Sequence, residues 1–270
     1  MMDINAKRQS LNQKGAVWIP NVLSALEVNQ IRDKITALSD SGHTGMVNFG
    51  TRTNCQFETG AVFCEYASSD FEIVKTSTLE NIGSVALKLL QSKQVFFWRD
   101  ELFFKSPKLD SNETPWHNGI SSLPFKGMDF LSVWVSLTEL NEMSSPLRTL
   151  NGSHRNVNHY RPPTGRNNVP LIDGYSEMPD LSHAKISNED GGITEWIIKP
   201  GDAVYFYETT LHGARPNTSP EPRMAYVSRW MGDDVRWKPD IYSVKDPIAN
   251  EFLDYGDPLN PKLFEFSIKA

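Results

Sequence analysis

From Val95 onward the chain consists of short β-rich runs separated by turns, and this alternation constrains the fold more than any other feature. Several runs alternate apolar and polar residues, as half-buried strands do. Helical patterns precede the runs, and this order predicts one α+β domain, mainly β, with helices packed outside an all-β core. The β-rich runs are Val95–Trp98, Glu101–Lys105, Phe130–Leu137, Ile193–Ile198, Ala203–Tyr207 and Ala225–Trp230.

The segment before Val95 reads as one strand and two helices. A short apolar strand is predicted over Gly15–Pro20, which ends at its proline. A helix is predicted next, because Ser24 and Glu27 have the spacing of a capping box and apolar residues then recur on one face. A second helix is predicted over about Thr78 to Leu90, with Thr78 as its cap.

Composition excludes several classes of protein. The 270 residues carry a net charge of −6, which argues against binding nucleic acid through phosphate contacts. We expect no membrane segment and no signal peptide, since no apolar run approaches the length of a span and the first residues lack an apolar core. The two cysteines, Cys55 and Cys64, are expected to be reduced in a cytoplasmic protein.

Two histidines stand out among six, because each follows a β-rich run. His117 lies in Thr114–Gly119, and His212 follows the predicted strand Ala203–Tyr207. Strands that meet in a barrel aim such imidazoles at one point, and imidazole ligates iron, copper, zinc and nickel. The alternative is that both are half-buried imidazoles that hydrogen-bond to the backbone.

The motifs around these histidines resemble the phytanoyl-CoA dioxygenase family of Fe(II)/2-oxoglutarate-dependent oxygenases. The resemblance covers most of the chain and implies a double-stranded β-helix, a cupin-like jelly roll. It implies a single domain over residues 1–270, with a helical part at about 1–94, the jelly-roll core at about 95–237 and an extension at 238–270. The matching segments are Gly15–Ser24, Phe104–Pro107, Pro115–His117, Leu131–Leu137, Asn151–Arg155, Pro200–Asp202, His212–Gly213, Arg223 and Arg229–Trp237.

The resemblance assigns roles to five residues. It implies that His117 and His212 ligate Fe(II) and that Arg223 holds the distal carboxylate of 2-oxoglutarate, the cosubstrate used with O2. A guanidinium fits a carboxylate with two parallel hydrogen bonds, so arginine suits that position. Trp134 and Lys105 match cosubstrate-pocket residues. The alternatives, left equally open, are that Trp134 is a plain core residue and that Lys105 is a solvated charge on a strand. His154 matches a structural turn, and no role is expected for the remaining histidines, which are His43, His159 and His183.

The family's third iron ligand is absent, because its His-x-Asp motif reads His117-Asn118-Gly119 here. Asn118 is expected to point away, so Gly119 is the position that decides the reaction. The favoured reading is a halogenase, in which chloride takes the coordination position and the charge of the missing carboxylate. A second is a hydroxylase, with a native two-histidine site or with an engineered Asp-to-Gly change. A third is an inactive jelly-roll binding protein, and a fourth is an unrelated metal site.

The substrate is expected to be a free small molecule, such as a specialised metabolite, with a carrier-tethered substrate as the alternative. The polar stretch Asn156–Gly192 and segments near Asn48–Phe63 are expected to roof the pocket. The oligomeric state, monomer or homodimer, is left open by the sequence. The candidate polar contacts are Arg161, Arg166, Asn167, Asn168 and Arg215, and the candidate aromatic contacts, which are also candidate core residues, are Phe57, Phe63, Tyr66 and Trp98.

Overall fold

The computed structural model describes residues 2–49, 52–58, 60–67, 74–156, 158–162, 171–261, 263–264 and 266–270. Its helices are α1 (Ile4–Lys14), α2 (Ala25–Ser39), α3 (Thr76–Leu90) and α4 (Pro247–Phe252). Its strands are β1 (Ala16–Ile19), β2 (Gly45–Asn48), β3 (Asn54–Glu58), β4 (Ala61–Glu65), β5 (Gln94–Lys105), β6 (Thr114–His117), β7 (Phe125–Lys126), β8 (Phe130–Ser136), β9 (Leu147–Leu150), β10 (His159–Tyr160), β11 (Tyr175–Ser176), β12 (Ile193–Trp196), β13 (Ala203–Tyr207), β14 (His212–Ala214), β15 (Arg223–Met231), β16 (Arg236–Trp237) and β17 (Ser267–Lys269).

Two antiparallel sheets form the core. The major sheet has the order β1-β13-β8-β15-β5-β4-β3-β2, with β17 also paired to β5, and the smaller sheet has the order β12-β9-β14-β6. This arrangement confirms the predicted mainly β fold, a jelly roll with helices on its outside. The predicted runs at Val95–Trp98 and Glu101–Lys105 are one continuous strand, β5.

Helices α1, α2 and α3 cover one face of the major sheet. The predicted capping box at the start of α2 is present, and its buried side Val28, Ile31, Ile35 and Leu38 joins the main core. Thr78 is not the cap of α3, as predicted, because the helix begins two residues earlier with Lys75 at the N-cap position, and the Thr78 hydroxyl bonds to Glu27 instead.

Helix α1 was not predicted, since only Leu11 of its residues is buried and it therefore has no apolar stripe. Its ends are nevertheless well marked. The Asp3 carboxylate accepts hydrogen bonds from the backbone of Asn5 and Ala6, and Gly15 ends the helix in the left-handed conformation, φ 85°.

The expectation of two reduced cysteines is wrong. Cys55 and Cys64 lie directly opposite each other on β3 and β4 and form a disulfide. The sequence spacing alone does not show that a tight hairpin brings two adjacent strands into this register. Each cysteine is fully buried, so the bridge lies beneath the hairpin and not on its surface.

The three parts predicted within the single domain contribute to one sheet. Strand β1 comes from the N-terminal part and pairs with β13, while β17 comes from the C-terminal extension and pairs with β5. The proposed boundaries near residues 95 and 237 stay predictions. Within the described residues, no helix is long and apolar enough to cross a bilayer.

Candidate functional site

The two predicted ligand histidines lie side by side on the smaller sheet. His117 ends β6, His212 begins β14, and the two residues are directly paired across these antiparallel strands. Their ring centroids are 4.2 Å apart. The strand pairing therefore brings together two imidazoles that are distant in the sequence.

Hydrogen bonds set the tautomer of both rings. The Nδ1 atom of His117 lies 2.8 Å from the Pro115 carbonyl oxygen, and Nδ1 of His212 lies 2.9 Å from the Thr210 carbonyl oxygen. Because a carbonyl can only accept, each Nδ1 carries the proton and each Nε2 keeps its lone pair. Burial lowers the pKa of His117, and burial together with the neighbouring His117 lowers the pKa of His212 well below its ordinary value. Both rings are thus held neutral, as metal ligation requires.

Gly119 opens a short 3-10 turn, Gly119–Ser122, directly after His117. Its φ is not positive, so the position requires glycine for space and not for backbone conformation. A Cβ built on Gly119 would lie 1.7 Å from the Glu208 carboxylate oxygen Oε2. The Asn118 amide donates to the Asn158 carbonyl at 3.1 Å and accepts from Ser121, so it is turned away, as expected.

Glu208 is the residue that sequence reasoning missed. It directly follows β13 and is 1% exposed. Its Oε1 accepts hydrogen bonds from the Ser132 hydroxyl and from Arg229 Nε, the latter at 3.0 Å. Its Oε2 has no hydrogen-bond partner among the described residues. Burial raises the pKa of Glu208, against the opposing effect of Arg229. The available signal was a glutamate at the end of an otherwise apolar strand.

Arg223 and Lys105 form a second pair, at the far end of the same interior. They lie directly opposite each other on β15 and β5, and both are buried. Arg223 Nε donates to the Ser145 carbonyl at 3.1 Å, and Lys105 Nζ donates to the Ser145 hydroxyl at 3.1 Å. No carboxylate in the described part of the chain lies within ion-pair distance of either cation.

Apolar side chains connect the two pairs. The Arg223 guanidinium lies 5.4 Å from the centre of the Trp134 ring. Trp134 and Phe206 belong to one buried cluster between the sheets, and the Phe206 ring lies 4.7 Å from that of His212. The histidine pair and the cation pair therefore face one shared interior.

These residues fit a metal ion and a dicarboxylate. Two neutral imidazoles with free Nε2 atoms are nitrogen ligands for a transition metal, and the Glu208 oxygen without a hydrogen-bond partner lies beside Gly119, two residues after His117. Burial, together with the neighbouring Arg223, lowers the pKa of Lys105 to about 6, and burial lowers the pKa of Arg223 to about 10. Among the described residues, however, no three histidine, cysteine or acidic side chains already converge as a metal cluster.

The residues predicted to contact the substrate lie in different parts of the structure. Arg161 pairs with Glu177 at 2.7 Å and Arg215 pairs with Glu195 at 3.2 Å, while Arg166, Asn167 and Asn168 lie outside the described residues. Phe57 belongs to the main core, and the Phe63 ring packs on Phe103. Tyr66 and Trp98 line a cavity of about 910 Å³ whose lining includes neither histidine of the pair.

Part of the stretch that is predicted to roof the pocket lies within the described residues. In the stretch Asn156–Gly192, the Tyr160 backbone N–H donates to the Ser121 hydroxyl at 2.7 Å, and the Tyr175 hydroxyl donates to the Ser121 carbonyl at 3.1 Å. This stretch therefore packs against the turn that begins at Gly119. His154 stacks on Tyr207 and bonds to the Asn12 carbonyl at 3.0 Å, which is a structural contact, as expected.

One known protein family matches most of this chain. The model of the phytanoyl-CoA dioxygenase (PhyH) family matches residues 11–225. An ectoine dioxygenase from Bordetella parapertussis is 32% identical over 123 residues, which span 43% of this chain and 40% of that relative.

Two solved structures share the fold over nearly the whole chain. The α-ketoglutarate-dependent carbocyclase SnoK from nogalamycin biosynthesis has a TM-score of 0.67 and 22% identity, with 98% of this chain and 95% of that chain covered. The epimerase SnoN, in complex with Fe3+, α-ketoglutarate and nogalamycin RO, has a TM-score of 0.64 and 19% identity, with 97% of each chain covered.

Proposed function

Since this chain belongs to the phytanoyl-CoA dioxygenase family, we propose that it is an Fe(II)- and 2-oxoglutarate-dependent oxygenase that acts on an aliphatic C–H bond of a small molecule. The observation that carries the proposal is one interior that holds two neutral, directly paired histidines and two buried cations without a carboxylate partner. A family member without iron chemistry would need neither pair.

In this proposal His117 and His212 hold the metal through Nε2. Arg223 holds the distal carboxylate of 2-oxoglutarate, Lys105 adds positive charge, and Trp134 forms an apolar wall beside the guanidinium. Iron with 2-oxoglutarate and O2 supplies the oxidant for the C–H bond. The buried side chains around the pair exclude water, and the stretch that packs on Ser121 covers the entrance.

Hydroxylation, or another oxygenation, is the outcome that the site favours. Chlorination, with chloride in place of the carboxylate missing at Gly119, is the second candidate, and the absent side chain is the observation in its favour. Against it, the Glu208 carboxylate occupies the space beside Gly119, so a halide would meet a buried carboxylate there. Two like charges in one buried space repel each other.

The substrate class is a small molecule, in line with relatives named for ectoine oxidation and for steps of nogalamycin biosynthesis. No nucleic acid or membrane partner is proposed. The cytoplasmic location stays a prediction, and the disulfide between Cys55 and Cys64 is opposite to what a reducing compartment favours. A monomer and a homodimer are both compatible with the proposal.

The test begins without oxygen. Fe(II) and 2-oxoglutarate are added to the anaerobic protein, and a weak visible charge-transfer band is expected. No band and no binding of either component would favour an inactive binding protein. Candidate substrates are then added with O2 in chloride and in chloride-free buffer, and products are weighed by mass spectrometry. A product heavier by one oxygen in both buffers supports the oxygenase, while a chlorinated product would reverse the ranking.

A further inference from the structure

The space beside Gly119 is filled by a carboxylate from another strand. We propose that Glu208 takes over the role of the carboxylate missing from position 119 and provides the third protein ligand of the metal held by His117 and His212. This inference rests on the proposed function, because it concerns the same metal site. The carrying observation is the distance of 1.7 Å between Glu208 Oε2 and the point where a Cβ on Gly119 would lie.

The backbone holds Glu208 against the histidine segment. The N–H of Ile120 donates to the Glu208 carbonyl at 3.0 Å, and the N–H of Glu208 donates to the Phe130 carbonyl at 2.8 Å. Strand β13 therefore ends beside the first turn after His117. The same short chain segment then continues to His212, so the carboxylate and the second histidine come from one loop.

The Glu208 side chain is held through one carboxylate oxygen, and its other oxygen is available to a ligand. Ser132 and Arg229 fix Oε1, while Oε2 is buried, has no hydrogen-bond partner among the described residues and points at the side-chain position of Gly119. A buried carboxylate oxygen without a partner is unfavourable, and a cation supplies the missing interaction. An aspartate at position 119 would place its own carboxylate within two bonds of that same Cβ point.

Glycine at position 119 and glutamate at position 208 therefore depend on each other. Any side chain at 119 would collide with Glu208, and Glu208 can occupy this space only because residue 119 is glycine. Since no three ligands converge in the described side-chain conformations, Glu208 is expected to turn its free oxygen toward the pair when metal binds. A carboxylate in this position leaves no requirement for an external anion such as chloride.

Binding of Co(II) alone tests the ligand role without relying on activity. The full-length wild type, Glu208→Gln and Glu195→Gln are titrated with Co(II), with calorimetry for the affinity and visible absorption for the coordination. Glu195 is the matched control, because its side chain is also only 5% exposed and paired with arginines but belongs to β12 and is not among the groups beside Gly119. Glu208→Gln is expected to raise the Kd by about tenfold or more and to change the spectrum, while Glu195→Gln stays within about threefold.

A swap of the carboxylate separates ligation from a structural role. Gly119→Asp alone is expected to bind Co(II) poorly, since the new side chain meets Glu208, and Gly119→Asp with Glu208→Ala is expected to return to within about threefold of the wild type. Chloride is expected to change the Co(II) spectrum of Glu208→Ala but not that of the wild type. If Glu208→Gln does not fold, the swap and the chloride titration still decide the question.

The outcomes distinguish the two proposals. Wild-type protein that binds no Co(II) and no Fe(II) would contradict the proposed function and this inference together. Wild-type binding that Glu208→Gln leaves unchanged would overturn the inference alone. Glu101 on β5 is a second buried carboxylate; it pairs with Arg99 and Arg229, and its Oε2 also has no hydrogen-bond partner among the described residues. Loss of affinity in Glu101→Gln instead of Glu208→Gln would therefore also overturn the inference, because the carboxylate would then come from β5.

Discussion

Arg223 and Lys105 lie directly opposite each other on neighbouring strands, both buried, with Ser145 hydrogen-bonded to the two of them. Two like charges in one buried space raise the free energy of the empty protein unless an anion joins them or Lys105 releases its proton. The pair therefore favours the binding of a carboxylate, and its properties lead to three measurable expectations.

Arg223→Ala is expected to weaken binding of 2-oxoglutarate to the anaerobic metal-loaded protein by about 2 to 5 kcal/mol, roughly 30-fold or more in Kd, because Lys105 cannot form the two parallel hydrogen bonds of a guanidinium. Calorimetry measures the change. Arg155→Ala is the control, since this half-exposed arginine pairs with Asp190 on the surface. Unchanged affinity in Arg223→Ala would contradict the assigned role.

Proton uptake is expected when 2-oxoglutarate binds. Burial and the neighbouring Arg223 lower the pKa of Lys105 to about 6, so the lysine of the empty site is mostly neutral at pH 8. A bound carboxylate favours the charged ammonium and raises this pKa, so affinity falls as pH rises above about 6. Calorimetry in buffers of different ionisation enthalpy counts the protons. Lys105→Met should remove most of the uptake, and equal uptake in this variant would refute the explanation.

The same pKa shift has a consequence for stability. A lysine whose folded pKa is lowered binds fewer protons in the folded state than in the unfolded state between pH 6 and its ordinary pKa near 10.5. The free energy of unfolding of the empty protein therefore gains from this residue as pH rises through that window, and loses the gain as pH falls to 6. Urea unfolding of the wild type and Lys105→Met at several pH values measures this slope, which should be smaller in the variant.

Gly119 and Glu208 are expected to be energetically coupled. Gly119→Ala should destabilise the empty protein by about 1 to 3 kcal/mol, because the new methyl group overlaps the carboxylate. Glu208→Ala also destabilises it, since Arg229 and Ser132 lose their acceptor. The double variant should be more stable than the sum predicts, by about 0.5 to 3 kcal/mol. Strict additivity in urea unfolding would show that the two residues do not share this space.

The disulfide between Cys55 and Cys64 is expected to be detectable and stabilising. The unreduced protein should contain no free thiol, and reduction should lower the free energy of unfolding by about 2 to 3 kcal/mol for a loop of this length. The variant Cys55→Ala/Cys64→Ala is the control and should not respond to reductant. A wild type that titrates two thiols without reductant would contradict the bridge.

Local patterns predicted most of the framework. Strand β13 has the predicted bounds Ala203–Tyr207, and the capping box of α2 is formed as the spacing of Ser24 and Glu27 indicated. These features depend on residues close together in the chain, which is why the sequence reveals them. Helix α1 was missed because only Leu11 of its residues is buried, so the segment shows no apolar stripe.

Features that depend on contacts between distant parts of the chain could not be predicted from the sequence. The spacing of Cys55 and Cys64 does not reveal the register that pairs them, and a lone glutamate after β13 does not reveal that it faces Gly119. The missing aspartate was visible in the sequence, but the carboxylate that fills its space comes from a segment far along the chain, directly after β13. The resemblance to a family supplied the predicted roles of His117 and His212, and the structure added their direct pairing.

The order of strands in the major sheet determines when each strand can pair with its neighbour during synthesis. Strand β1 precedes its partner β13 by eleven other strands along the chain, and β14 with His212 follows β13. The growing chain must therefore leave an apolar strand without its sheet partner until β13 has been made. His117 is likewise made well before His212, so the proposed metal site is complete only after β13 has been made.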